Sequence, residues 1–187
     1  MDINKKWNII NKETVFKSKI FKINKFNCFL PSKNIYNDFY SIDLPDWANV
    51  FALTEDNKVI LVKQHRLGNN QVTLEVPAGA IDKGEDPLEA AGRELIEETG
   101  YAAEKIILIK KISVNPAIQD NICYCYLALN CNKVIKNDLD HAEEIDVVVK
   151  DAEEVFNLIN TDSVDNSLSY LSIILSRDYL IKNNLLK

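Results

Sequence analysis

Three carboxylates on adjacent turns of one candidate helix are the residues in this sequence best placed to do chemistry. Glu94, Glu97 and Glu98 stand at i, i+3 and i+4. At about 100° per residue they share a helical sector roughly 100° wide. Like charges at that spacing repel, so the helix loses stability unless a cation or a basic group compensates. A hard divalent ion such as Mg²⁺ suits the arrangement, because it takes oxygen ligands from a few carboxylates, waters and phosphates. A solvated acidic face is the plain alternative. The neighbourhood favours a cation. Only five glycines occur in the chain, yet Gly79, Gly84, Gly92 and Gly100 fall in one 22-residue stretch. From Gly79 to Tyr101 seven acids oppose two bases, which accounts for -5 of the overall net charge of -6. Backbone freedom and negative charge are thus concentrated in one place, and Gly92 is expected to allow a close backbone approach.

The elements that must hold these residues can be read around them. Asp86 as N-cap, Pro87 at the first helical position, Glu89 completing a capping box and Gly100 as the stop delimit a helix over Asp86–Thr99. Leu88, Ala91, Leu95 and Ile96 give it an apolar side that can pack on a sheet. Strands are expected at Thr14–Ile23, Phe26–Leu30, Ile35–Ile42, Asn49–Thr54, Lys58–Gln64, Gln71–Val76, Ile106–Val114, Asn121–Leu129 and Ile145–Val149. Glu55-Asp56-Asn57 forms the turn of a hairpin. A short helix follows Asp151. A last helix begins at Ser163, with Val164, Leu168, Leu171, Leu175 and Tyr179 as its apolar stripe. Strands, one helix, strands and closing helices imply an α+β fold with a mixed sheet and helices packed on it.

Gly79, five residues, Glu85, seven residues, then Arg93-Glu94-Leu95-Ile96-Glu97-Glu98-Thr99-Gly100-Tyr101 resembles the Nudix box, G-x5-E-x7-R-E-U-x-E-E-x-G-U with U apolar. Every fixed position is filled, and Tyr101 is a loose fit to its apolar class. The resemblance implies the family's α/β/α sandwich and hydrolysis of a nucleoside diphosphate linked to another group, with Mg²⁺ or Mn²⁺ as cofactor. By resemblance Glu94, Glu97 and Glu98 are metal ligands, Glu97 also a candidate base, and the carbonyl of Ala78 a further ligand. Glu85 and Arg93 would fix the loop and helix by a salt bridge, with Gly79 and Gly100 as the box's structural glycines.

The flanks resemble the ADP-ribose pyrophosphatase branch: Gln64-His65-Arg66, then Leu74-Glu75-Val76-Pro77-Ala78-Gly79, and Pro116 sixteen residues after Gly100. By that likeness residues 1–45 are a β extension used for dimerisation and substrate contact, and residues 46–187 are the hydrolase domain. After the proline stands Ala117-Ile118-Gln119-Asp120-Asn121, where many members carry a glycine and an acid. GDP-mannose, UDP-sugars and other nucleoside diphosphate sugars therefore stand beside ADP-ribose as substrates. Pro116, Trp47, Arg66 and Glu75 are candidate substrate contacts. Arg66 suits a phosphate clamp or a surface ion pair. Trp47, Tyr36, Phe39 and Tyr40 suit base stacking or packing. In His141-Ala142-Glu143-Glu144, at the place where the branch puts its water-activating carboxylate, Glu143 and then Glu144 are the candidate bases. Cys123 and Cys125 share a strand face and read as buried small hydrophobes.

Composition bounds the rest. With 47% hydrophobic and 27% charged residues the chain is globular, not disordered. Its acidity argues against binding nucleic acid. No apolar run is long enough to span a membrane, and neither a secretion signal nor a disulfide framework is evident. A cytoplasmic homodimer acting on a small nucleoside diphosphate compound is the expectation. A catalytically silent nucleotide sensor and a nucleoside triphosphate house-cleaning pyrophosphatase are its alternatives.

Overall fold

The computed structural model describes residues 5–135 and 144–186. The chain folds as two compact units: residues up to Pro45 with Ser113–Ile122, and Asp46–Ile112 with Cys123–Lys187.

The first unit is an antiparallel three-stranded sheet of β1 (Asn8–Lys17), β2 (Lys22–Leu30) and β3 (Ile35–Asp43), in that order. The expected strand over Thr14–Ile23 is corrected here, because the chain reverses at Ser18–Phe21. No glycine or proline marks this turn. The Ser18 hydroxyl makes it instead, accepting hydrogen bonds from the Ile20 and Phe21 amides at 3.1 and 2.9 Å. The segment after residue 113 joins this unit through Ile42, whose N–H donates to the Ile118 carbonyl at 2.7 Å.

The second unit is built on a seven-stranded mixed sheet. Its strands are β4 (Trp47–Leu53), β5 (Lys58–Arg66), β6 (Gln71–Glu75), β7 (Ala78–Ala80), β9 (Lys105–Ser113), β10 (Ile122–Leu129) and β12 (Ile145–Asp151); β8 (Tyr101–Ala102) pairs with β11 (Asn132–Lys133). β10 runs parallel to β4, and the β5 pairings are antiparallel. Among the described residues three helices complete the unit: α1 (Pro87–Thr99), α2 (Ala152–Leu158) and α3 (Ser167–Lys182). Alternation along the strands separates two cores. Ala48, Val50, Ala52, Ile60, Tyr126 and Ala128 pack with Ala90, Ala91 and Leu95 of α1. Phe51, Leu53, Val59, Leu61 and Leu127 pack with Val155 of α2 and with Ile173 and Leu180 of α3. One sheet between two helical layers is the expected α/β/α sandwich.

The Asp86 cap, Pro87 at the first position and the Gly100 stop of α1 are as read. The Asp86 carboxylate accepts from the Leu88 N–H at 2.8 Å. Gly100, at φ 76°, closes the helix with its N–H on the Ile96 carbonyl at 2.7 Å. Gly92 makes no special approach, since a Cβ there would meet Ile106 Cδ1 at an ordinary 3.7 Å. The last helix begins at Ser167 behind an Asn166 cap, not at Ser163. Its buried face is Ser169, Ser172, Ile173, Ser176 and Leu180, whereas the stripe read from Leu168, Leu171, Leu175 and Tyr179 is only half-buried. The serines face inward because they have partners there: Ser169 Oγ accepts from the Val76 N–H at 3.2 Å, and the Ser172 hydroxyl reaches Cys125 Sγ at 3.6 Å. Among the described residues no helix is long and apolar enough to cross a membrane.

Candidate active site

β4 pairs with β7 so that Trp47, Ala48 and Asn49 lie opposite Ala80, Gly79 and Ala78. This register brings the Ala78–Ala80 edge against α1. The Ala78 N–H donates to Glu98 Oε2 at 2.9 Å, and Glu98 is only 4% exposed. Gly79 lies directly under Glu94: a Cβ at this position would stand 2.1 Å from that carboxyl carbon. Only the hydrogen of glycine leaves the glutamate room.

Arg93 organises the loop. Its Nε and Nη2 clamp the Glu85 carboxylate at 2.8 and 3.0 Å, Nη1 binds Glu94 at 2.8 Å and Glu97 at 2.9 Å, and Nη2 also donates to the Ala80 carbonyl at 3.2 Å. These contacts match the five N–H donors of a guanidinium. The Arg93–Glu85 hydrogen bonds, followed by the Asp82 backbone N–H, hold the Glu85 carboxyl below its ordinary pKa. The same Glu85 contact is the main reason that the Arg93 pKa lies above its ordinary value.

Trp47, Gln64, Arg66, Ala78, Gly79, Ala80, Asp82, Arg93, Glu94, Glu97 and Glu98 enclose one cavity of about 490 Å³. A second cavity, of about 270 Å³, shares Trp47, Arg66 and Ala78 and adds Asn49, Glu75, Asn166 and Leu168. Arg66 connects the two. It forms a bidentate pair with Glu75, Nε to Oε1 at 2.9 Å and Nη2 to Oε2 at 2.8 Å, and Thr73 Oγ1 also donates to Glu75. Burial alone would push the Glu75 carboxyl up. The Arg66 and Thr73 hydrogen bonds, the Arg66 charge and the Asn166 amide outweigh it, and the net pKa is lowered from 4.5.

That shift has a pH signature. A carboxyl whose folded pKa lies below an unfolded value near 4.5 stabilises the fold fully above that value, and the stabilisation fades as pH falls through the lowered value. In urea unfolding, the stability of wild type relative to Glu75→Gln should therefore rise as pH climbs through the lowered value toward 4.5 and level off above it. A gap that does not change with pH would contradict the assignment.

The residues fit a hard divalent cation in donor chemistry: carboxylate oxygens face one cavity, and Gly79 leaves space for Glu94. Among the described residues no three acidic, histidine or cysteine side chains already converge on one point. Glu94 Oε1 and Glu97 Oε2 lean on Arg93, so a cation would compete with that guanidinium for them.

Of the residues singled out in the sequence, Trp47, Arg66, Ala78, Gly79, Arg93, Glu94, Glu97 and Glu98 meet in the first cavity, and Glu75 lines the second. Glu85 acts through Arg93. Pro116 lies in the first unit, in a turn where the Ile118 and Gln119 amides donate to the Asn115 carbonyl. Tyr36, Phe39 and Tyr40 are also in the first unit, on β3. Glu143 lies outside the described residues. Glu144 is exposed just before Ile145, the strand partner of cavity-lining Gln64. Asn49, Asp82, Asn166 and Leu168 also line the two cavities, without a motif in the sequence that assigns them to the site. Asp82 stood among the counted acids, whereas Asn166 comes from a helix cap ninety-one residues beyond Glu75 with no local signal.

Site and fold together define the class. The chain belongs to the NUDIX domain family, whose model matches residues 44–168. It is 31% identical over 160 residues to the ADP-ribose pyrophosphatase of Bacillus subtilis (strain 168), which covers 83% of this chain and 86% of that protein. It is 26% identical over 181 residues to the ADP compounds hydrolase NudE of Escherichia coli (strain K12), covering 92% of each. A crystal structure of an ADP compounds hydrolase matches with a TM-score of 0.83 and 23% identity over 95% of this chain and 96% of that one, a likeness of fold.

Proposed function

We propose that this Nudix hydrolase cleaves the diphosphate bridge of ADP-ribose or a related nucleoside diphosphate sugar, giving a nucleoside monophosphate and a sugar phosphate, with Mg²⁺ or Mn²⁺ as cofactor. One observation carries the reading: Glu94, Glu97 and Glu98 share a cavity with Arg66, which continues into a second cavity large enough for a further group. The relatives named ADP-ribose pyrophosphatase and ADP compounds hydrolase support it.

The charges define the task. A diphosphate would enter a cavity lined by Asp82, Glu94, Glu97 and Glu98, whose field opposes it, while Arg93 already binds three glutamates. Bound divalent cations supply charge neutralisation and activation of water. Glu94, Glu97 and Glu98, with the Ala78 carbonyl, would hold them. Arg66, fixed by Glu75, presents a guanidinium where a phosphate crosses between the cavities, and Trp47 lines both. Water adds to one phosphorus, the bridging P–O bond breaks, and a carboxylate takes the water's proton. Glu97 and Glu144 are the described candidates for that base.

A panel of ADP-ribose, GDP-mannose, UDP-sugars and nucleoside triphosphates, at saturating Mg²⁺ and Mn²⁺ and ranked by kcat/KM, tests the reading. A diphosphate sugar should lead, with two phosphomonoesters as products. Inorganic pyrophosphate as product would indicate triphosphate house-cleaning, and binding without turnover a sensor.

A homodimer goes with this reading. β1 is exposed along its whole length, and Ile9, Ile10, Phe16, Tyr36 and Tyr40 of the first unit expose much of their apolar surface. Such surface is the mark of an interface, and a second copy is its occupant here. Sedimentation should give a dimer, which Ile10→Lys combined with Tyr40→Lys shifts toward monomer; a monomeric wild type would refute it.

A further inference from the structure

Glu75 is a carboxylate 2% exposed, and its hydrogen bonds come from three residues. It accepts from Arg66 Nε and Nη2 at 2.9 and 2.8 Å, from the Thr73 hydroxyl and from the Asn166 side chain. A carboxylate offers about four lone-pair sites, so these donors fill it. The other end of the Asn166 amide is engaged as well. Its Oδ1 accepts from the Leu168 and Ser169 N–H groups, at 3.0 Å each, and caps α3. With the oxygen used in this way, the NH₂ group is the end that donates to Glu75. In the same turn Ser169 Oγ accepts from the Val76 N–H at 3.2 Å, which ties the start of α3 to the residue after Glu75. Arg66, Glu75 and Asn166 all line the cavity of about 270 Å³.

We propose that Asn166 is a positioning residue for substrate binding: by donating to Glu75 it fixes the Arg66 guanidinium at the boundary of the two cavities, where a phosphate of a nucleoside diphosphate compound is held. This role rests on the reading of Arg66 as a phosphate contact.

The choice of asparagine points to the second contact. Asn, Asp and Ser cap a helix about equally well, so capping alone does not require an amide; only the amide also carries a donor that can reach a carboxylate. The source of that donor matters too. Arg66, Thr73 and Glu75 belong to one hairpin, β5 paired with β6, whereas Asn166 stands at the start of α3. Of the residues that donate to Glu75, Asn166 alone therefore anchors it to an element outside the hairpin. A bidentate pair moves as a body, so whatever fixes the carboxylate also aims the guanidinium. A phosphate gains most from a guanidinium already in place, because ordering the side chain is then not part of the cost of binding. Ground state and transition state carry the same phosphate, so a misplaced Arg66 weakens both and shows in KM more than in kcat.

Steady-state kinetics of full-length Asn166→Asp, Asn166→Ser and Asn166→Ala on the best substrate of the panel, with thermal melts alongside, test this. Aspartate and serine keep the cap but not the amide donor, and aspartate also sets a like charge against Glu75. KM should rise about tenfold in Asn166→Asp and about threefold in Asn166→Ser, with kcat within about twofold of wild type. The serine variant should keep its Tm within about 2 °C. Alanine loses the cap as well, so it should lower Tm by about 2–4 °C yet raise KM no more than serine does. A KM that rises in the alanine variant alone would leave Asn166 a helix cap and nothing more. If wild type turns over no diphosphate sugar, the proposed function fails, and a crystal structure of Asn166→Asp decides the positioning role by itself. An Arg66 guanidinium displaced by about 1 Å or more supports that role; one still paired with Glu75 in its original place overturns it.

Discussion

Glu98→Gln should lower kcat on the best diphosphate sugar by roughly 10²–10³-fold, with a much smaller change in KM and little change in stability. Glu98 is 4% exposed and has two tasks: one carboxylate oxygen accepts the Ala78 N–H at 2.9 Å, while the residue also lines the glutamate cavity. Glutamine can keep the first task, because its amide oxygen still accepts from Ala78. Its NH₂ group then takes the place of the other oxygen, and a donor without charge replaces a negatively charged acceptor. The Ala78 hydrogen bond is kept, but a cation loses a ligand and a charge. Because that ligand matters most when negative charge builds up on the leaving phosphate, the loss falls on turnover and not on ground-state binding. Steady-state kinetics and thermal melts of the variant check this. A kcat within threefold of wild type, with the fold intact, would remove Glu98 from the set of metal ligands.

How far the sequence could be read depended on whether the partner was local. The sector shared by Glu94, Glu97 and Glu98 follows from helix geometry alone, and so do the Asp86 cap and the Gly100 stop. Their different environments do not. Glu98 is buried beneath the Ala78 amide, Glu94 stands over Gly79, and the Glu97 side chain is 44% exposed beside Arg93. These differences arise from the register of β7 on β4, which no periodicity in α1 contains. The same limit explains the misread face of α3. An apolar count favours Leu171 and Leu175, yet Ser169 and Ser172 turn inward because the Val76 amide and Cys125 sulfur await them. The turn at Ser18 was missed for a related reason, since a hydroxyl replaces the usual glycine. Glu75 looked like one acid before a proline; its burial and its lowered pKa depend on Arg66 across a hairpin and Asn166 from a distant cap.

Gly79→Ala should also separate activity from stability. The new Cβ would lie 2.1 Å from Glu94 Cδ and Oε1 and 2.3 Å from Oε2, distances no pair of atoms can keep. What must give way is the flexible end of a side chain, not backbone. The glycines with positive φ are Gly84 and Gly100, so alanine is compatible with the backbone at position 79. Glu94 therefore swings aside, leaving the Arg93 Nη1 contact and its place in the cavity. The expected result is a fall in kcat/KM of roughly 10²-fold or more, while the loss of one partly exposed ion pair costs about 1 kcal/mol or less. For a chain of this length that lowers Tm by about 2–4 °C at most. Gly92→Ala, in the helix that carries Glu94, is the matched control. Its Cβ would meet Ile106 at an ordinary 3.7 Å, and alanine should stabilise the helix by about 0.5–1 kcal/mol without affecting turnover. If the position 79 variant works as well as wild type, Glu94 does not act from where it stands. If it unfolds instead, the clash is borne by the β7 backbone, and Gly79 serves the fold before it serves the site.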